Sequence, residues 1–217
     1  MIAYYGGGFD PIHKGHIFAA SIALNLFDLE QVRFILTAKP VHKDLSGRGI
    51  NARWKMLKLA LQNQPDMVAD DVEISNPSRQ SYSYNTLCEL RKKHGNNKPL
   101  LWLMGSDQFA VLDSWYRGLD LISLAHILVF KRPEQSEDVV RSKQMQKFVD
   151  LHLSATREEL TSCPSGKLYL AQQPMLDISS TTIREKLNMG NEVQDLLPES
   201  VLSYIMEKQI YPTGESE

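Results

Sequence analysis

Met1-Ile2-Ala3-Tyr4-Tyr5-Gly6-Gly7-Gly8-Phe9-Asp10-Pro11-Ile12-His13-Lys14-Gly15-His16 opens the chain. Ile2 to Tyr5 reads as a short strand that runs into three glycines. A helical pattern follows from about Gly15 to Phe27, with Ile17, Ala20, Ile22, Ala23, Leu24 and Leu26 on its apolar face. A glycine-rich turn between a first strand and a first helix lets backbone approach a phosphate closely, and the helix start offers free amides and a positive dipole end. The order of the glycines is neither Gly-x-Gly-x-x-Gly nor a P-loop, since no Gly-Lys-Ser/Thr follows. On glycines alone, a tight turn without a ligand is an equal reading.

Beyond this stretch, strands and helices alternate. Val32 to Leu36, Val68 to Ile74, Pro99 to Met104, Ile127 to Phe130 and Leu168 to Leu170 read as strands. Helices are expected at Asn51 to Leu61, Tyr84 to His94, Leu119 to Leu124, Thr181 to Leu187 and Pro198 to Met206, with Trp54, Leu57 and Leu61 as the inner face of the first of these. This order predicts an α/β fold: a doubly wound, mostly parallel, Rossmann-like sheet within a single domain spanning 1–217. Residues 132–165 are expected to form an inserted helix and a mobile loop, and 212–217 a frayed tail.

The 217 residues carry 24 Lys and Arg against 26 Asp and Glu. A net charge of −2 excludes a protein held to nucleic acid by bulk electrostatics. No apolar run is long enough to span a bilayer, and no leader pattern is visible at the start. The two cysteines, Cys88 and Cys163, are far apart, which fits a reducing cytoplasm.

His13 and His16 lie three positions apart at a helix opening, so both can project from one face. Two imidazole donors at a helix N-terminus suit a developing pentacoordinate phosphorus. A pair of surface histidines is the plain alternative, and a zinc site would need a third ligand beyond Asp10. Near the other end, Ile178-Ser179-Ser180-Thr181-Thr182-Ile183-Arg184 opens a second helix. Its hydroxyls are good N-caps, and Arg184 sits one turn in, where a guanidinium can reach a bound phosphate.

These two motifs resemble those of the His-x-Gly-His nucleotidyltransferases, and the later segments resemble the nicotinate-nucleotide adenylyltransferases of bacterial NAD synthesis. The resemblance implies adenylyl transfer from ATP to nicotinate mononucleotide, giving nicotinate adenine dinucleotide and pyrophosphate. It implies His13, His16, Lys43 and Arg184 as catalytic residues. It implies Gly7, Gly8, Phe9, Gly15, Gly105, Asp107, Ser180 and Thr181 around ATP. Lys43 comes from Pro40-Val41-His42-Lys43, where the family usually has Pro-Pro-His-Lys or Pro-Pro-His-Arg. Ser81-Tyr82-Ser83 and Trp115-Tyr116 resemble the walls of a pyridine site, which implies Ser83, Trp115 and Tyr116 there. Mg2+ is expected to arrive with ATP, with Asp107 near the ribose or near the metal through a water, and no direct protein ligand. Gly8 departs from the family's usual Thr or Ser, so a hydroxyl contact at that place is missing.

Other acceptors, nicotinamide mononucleotide and phosphopantetheine, fit the end motifs equally, whereas Trp115-Tyr116 favours a pyridine. A nucleotide sensor without catalysis and a tRNA-ligating enzyme are the alternatives of other classes. The partners expected are small molecules only, with no nucleic acid and no membrane, in a monomer or homodimer. The charge is unevenly spread: 13 basic and 10 acidic residues precede Phe109, against 11 and 16 from there on. A small anionic nucleotide needs a focused site of this kind rather than a basic surface.

Overall fold

Among the described residues six strands pair side by side, all parallel, in the order β3-β2-β1-β4-β5-β6. Along the chain the elements are β1 (Ile2–Gly7), α1 (Lys14–Phe27), β2 (Val32–Leu36), α2 (Ile50–Leu61), β3 (Met67–Asp70), α3 (Ser83–His94), β4 (Leu100–Gly105), α4 (Ser106–Phe109), α5 (Leu121–Leu124), β5 (His126–Phe130), α6 (Lys143–His152), α7 (Arg157–Thr161), β6 (Leu168–Ala171), α8 (Ser180–Asn188) and α9 (Glu199–Lys208). The computed structural model describes residues 1–39, 49–75, 80–131, 142–154 and 156–211. The expected contributions of His42, Lys43, the 132–141 part of the polar segment and the 212–217 tail lie outside the described residues.

The continuous apolar runs become strands covered on both faces. Successive side chains of a strand point to opposite sides. Ala3, Phe34, Leu36, Leu101, Leu103, Leu128 and Phe130 enter one core with α1, α2, α8 and α9. Tyr4, Ile35, Trp102, Met104, Ile127 and Val129 enter the other, with α3, α5 and α6. The sheet reverses its winding between β1 and β4, so the crevice beyond the carboxyl ends of those two strands is the topological switch point. Gly7 and Gly105 end the two strands there.

Two expectations need correction. The strand expected to reach Ile74 stops at Asp70. The Asp70 carboxylate takes the Nε–H of Arg33 at 2.7 Å and the backbone N–H of Val72 at 3.1 Å, which turns the chain out of the sheet. On α2, Leu57 and Leu61 face inward as expected, but Arg53 rather than Trp54 completes that face. Arg53, Met56, Leu57, Ala60 and Leu61 are buried, while Trp54 is half-buried beneath Lys58. In the 132–165 stretch, α6 is capped by Ser142, whose Oγ accepts from the Met145 N–H at 3.1 Å. Its Met145, Phe148 and Val149 face the core at helical spacing.

Candidate active site

A cleft of about 560 Å3 lies over the switch point. Gly7, Gly8, Phe9, His13, Gly15, His16, Gly105, Asp107, Ser180, Thr181 and Arg184 all line it. Its volume falls within the roughly 300–1,000 Å3 usual for small-molecule sites. Eleven positions expected around ATP and its phosphates thus meet in one place, from both ends of the sequence. Ser83, Trp115 and Tyr116 do not line this cleft. They sit together elsewhere: Ser83 opens α3, Trp115 packs half-buried on the second core, and Tyr116 is 52% exposed. The Tyr116 ring lies 4.6 Å from that of Tyr82 and 6.3 Å from that of Tyr84, and Arg117 covers the Tyr84 face at 4.0 Å.

The histidine pair is tightly built. His13 occupies the N-cap of α1, and its backbone N–H donates to Nδ1 of His16 at 3.3 Å. The two imidazoles stack with centroids 3.6 Å apart and planes 28° apart. The edges of Phe9 and Tyr5 enclose the His16 ring at 5.1 and 5.8 Å. A Cβ on Gly15 would lie 3.0 Å from Nδ1 of His13, so glycine between the histidines leaves room for the imidazole. Phe9 has φ 44°, in the left-handed region, which costs a non-glycine residue about 1–2 kcal/mol. Its ring is held against Tyr5 and Phe34 at 5.9 and 5.6 Å, and this packing offsets the strain.

The two motifs are bonded to each other. Ser180 Oγ donates to the carbonyl of Pro11 at 2.9 Å, and Arg184 Nη1 donates to the carbonyl of Asp10 at 2.7 Å. Ser179, rather than Ser180 or Thr181, caps α8, taking the Thr182 N–H at 3.1 Å. Arg184 Nη2 takes Thr181 Oγ1 as acceptor at 3.2 Å. The Asp10 carboxylate lies 3.9 Å from Arg184 and accepts the hydroxyl of Tyr211 at 2.7 Å. Ser180 and Arg184, expected to act on phosphate, therefore also fix the backbone of the first motif.

Sequence reasoning missed Arg53, whose guanidinium lies under the glycine turn, and Tyr211, 201 positions from its partner Asp10. An arginine in register with Met56, Leu57 and Ala60 was the available signal for the first. Nothing local marked the second. Among the described residues, no group of three or more His, Cys, Asp or Glu is placed to hold a metal ion, and Asp107 is the exposed carboxylate of the cleft.

Comparison with known proteins gives a consistent result. A family model described as cytidylyltransferase-like matches residues 4–186. A probable nicotinate-nucleotide adenylyltransferase of Shigella boydii is 35% identical over 209 residues, covering 96% of this chain and 97% of its own. A nicotinate-nucleotide adenylyltransferase of Escherichia coli has the same identity and coverage. The solved structure of Plasmodium falciparum nicotinic acid mononucleotide adenylyltransferase complexed with NaAD shares the fold, with a TM-score of 0.76 at 21% identity over 99% of this chain and 98% of that one. With this match running nearly end to end and both motifs assembled on one cleft, the chain belongs to the nicotinate-nucleotide adenylyltransferases, a family of nucleotidyltransferases.

Proposed function

We propose that this chain transfers the adenylyl group of ATP to nicotinate mononucleotide. The observation that carries the reading is the opening of α1 and α8 onto one cleft at the switch point, with the stacked His13 and His16 in its wall. An oxygen of the mononucleotide's 5′-phosphate bonds to the α-phosphorus as the bond from that phosphorus to the bridging β-oxygen breaks, and pyrophosphate departs. The attacking phosphate is already ionised at neutral pH, so catalysis rests on positioning and on charge neutralisation.

His16 accepts the backbone N–H of His13 at Nδ1. In the neutral ring, Nε2 then carries the proton, ready to donate to a phosphoryl oxygen. His13 is buried beside it and restrains its orientation. Arg184 offers positive charge at the mouth of α8, with Ser180 and Thr181 beside the same phosphates. Lys43 supplies a further cation from the segment after β2. Asp107, the exposed carboxylate of the cleft, would meet a Mg2+ carried by ATP through water, and that ion would supply charge neutralisation at the phosphates. The group around Ser83, Trp115 and Tyr116 takes the pyridine of the acceptor, with aromatic faces for the ring.

The test is pyrophosphate release with Mg-ATP and nicotinate mononucleotide, nicotinamide mononucleotide or phosphopantetheine in turn. Release with the acid alone is the expected result. Equal efficiency on the amide would overturn the acceptor assignment, and no release with any acceptor would return the chain to nucleotide binding without catalysis.

A further inference from the structure

Among the described residues two arginines are buried, and they differ in what they hold. Arg91, on α3, donates to the carbonyls of Leu124, Gly95, Lys98 and Pro164 at 2.6–3.1 Å. These lie at the end of the sheet where β4 and β5 begin, away from the cleft. Arg53, on α2 and 2% exposed, reaches the opposite end. Its Nη1 donates to the carbonyl of Gly8 at 2.9 Å and to that of Thr37 at 2.8 Å. Gly8 lines the cleft and Arg53 does not.

The bond to Gly8 fixes a plane. In a trans peptide the N–H points opposite to the C=O. With the Gly8 carbonyl turned down onto Arg53, the N–H of Phe9 is turned away from Arg53. The preceding peptide is held in the same way, because the Gly7 carbonyl accepts the N–H of Thr37 at 2.8 Å. Both anchors come from the β2 side, and together they set the direction of two successive backbone donors, those of Gly8 and Phe9. Position 8 has no side chain to orient the turn, so its geometry depends on these outside bonds. Burial draws the Arg53 pKa below the usual guanidinium value, opposed by the nearby Asp10 and Tyr211. Its charge is thus placed under the turn at a desolvation cost that a merely space-filling residue would avoid.

We infer that Arg53 is a positioning residue of the transfer reaction: by holding the Gly8 carbonyl, it aims the Phe9 N–H group at the phosphates of ATP, beside the Gly8 N–H that Thr37 sets. This rests on the adenylyl-transfer reading. Arg91 provides the internal control, since it has the same buried chemistry but serves only the far end of the sheet.

The experiment measures kcat and KM for ATP, per folded protein, in the full-length chain carrying Arg53→Lys, Arg53→Gln or Arg91→Lys, with melting temperature alongside. Wild-type turnover is measured first, and its absence would sink the adenylyl-transfer reading itself. Given turnover, Arg53→Lys and Arg53→Gln are expected to lose roughly 10–100-fold, mostly in kcat, as sub-ångström misplacement of catalytic groups does. Arg91→Lys is expected to melt at lower temperature with kcat within about twofold of wild type. The inference is overturned if the Arg53 variants keep wild-type kcat, or if Arg91→Lys loses as much. It is equally overturned if neither Arg53 variant folds, for then the residue serves folding and no separable positioning role exists.

Discussion

The backbone N–H of His13 donates to the Nδ1 atom of His16, three residues along the same helix opening, while the two imidazoles lie stacked above one another. A nitrogen that accepts a hydrogen bond carries no proton, so this contact selects one tautomer of His16 before any substrate binds. We expect long-range proton–nitrogen correlation spectra near pH 8 to show His16 as the Nε2–H form. A signal from the Nδ1–H form would remove the donor assigned to it.

His16→Ala should lower kcat by about 10²–10³-fold, corresponding to roughly 3–4 kcal/mol for one well-placed donor. His16 is only half-buried, so the melting temperature should change little. A near-normal rate in single-turnover measurements would refute the role.

Gly15→Ala separates stability from activity. Alanine is favoured over glycine by about 1 kcal/mol in a helix interior and by less at this second position of α1, a gain that the contact with His13 offsets, so stability should change little. Its new methyl would press on His13 at 3.0 Å and shift the histidine stack. An activity loss of about tenfold or more without loss of stability is expected, the mark of a geometric requirement. Thermal melts and steady-state kinetics on one preparation check both halves.

Tyr211→Phe removes the hydroxyl that donates to the buried Asp10. Depriving a buried carboxylate of a donor costs about 1–3 kcal/mol. Urea unfolding should show that loss without a change in slope, and kcat should fall as well, because Asp10 belongs to the first motif. A variant indistinguishable from wild type in both would show the bond to be incidental.

Acid should weaken the fold through His126. This side chain is fully enclosed, with Nε2 on the carbonyl of Cys163 at 2.9 Å and Nδ1 taking the N–H of Lys167 at 3.2 Å. Burial holds its pKa below the ordinary 6.5, and Arg91 and Lys167 act in the same direction. The unfolded chain therefore takes up a proton first as pH falls below 6.5, and stability is lost from there down to the folded-state pKa. His94, bonded to Tyr4, is shifted the same way, chiefly by desolvation. Unfolding free energies at pH 7.5 and 5.5 should differ accordingly, and His126→Gln should flatten the difference.

Much of this architecture was legible in the sequence, for a physical reason. Strands such as Leu100–Gly105 are buried on both faces, so they appear as unbroken apolar runs that no exposed element would carry. The site motifs were legible because a glycine turn after a strand and a run of hydroxyls that can cap a helix, as Ser179 does, are local patterns. What escaped were contacts made by distant parts of the chain. Trp54 reads as the inner residue of its helix on hydropathy, yet Arg53 is inside, because two backbone carbonyls await a donor there. Ser180 reads as a phosphate ligand, and its bond to Pro11, 169 positions away, has no local mark.

The bond between Tyr211 and Asp10 has a consequence for how the protein is made. Tyr211 leaves the ribosome 201 positions after Asp10, the residue it secures. The bonds from Ser180 and Arg184 arrive almost as late. A nascent chain that stops short of Tyr211 lacks the hydroxyl that secures Asp10. The first motif is therefore fully fastened only late in synthesis, and a product truncated before Ser180 would lack all three of these bonds.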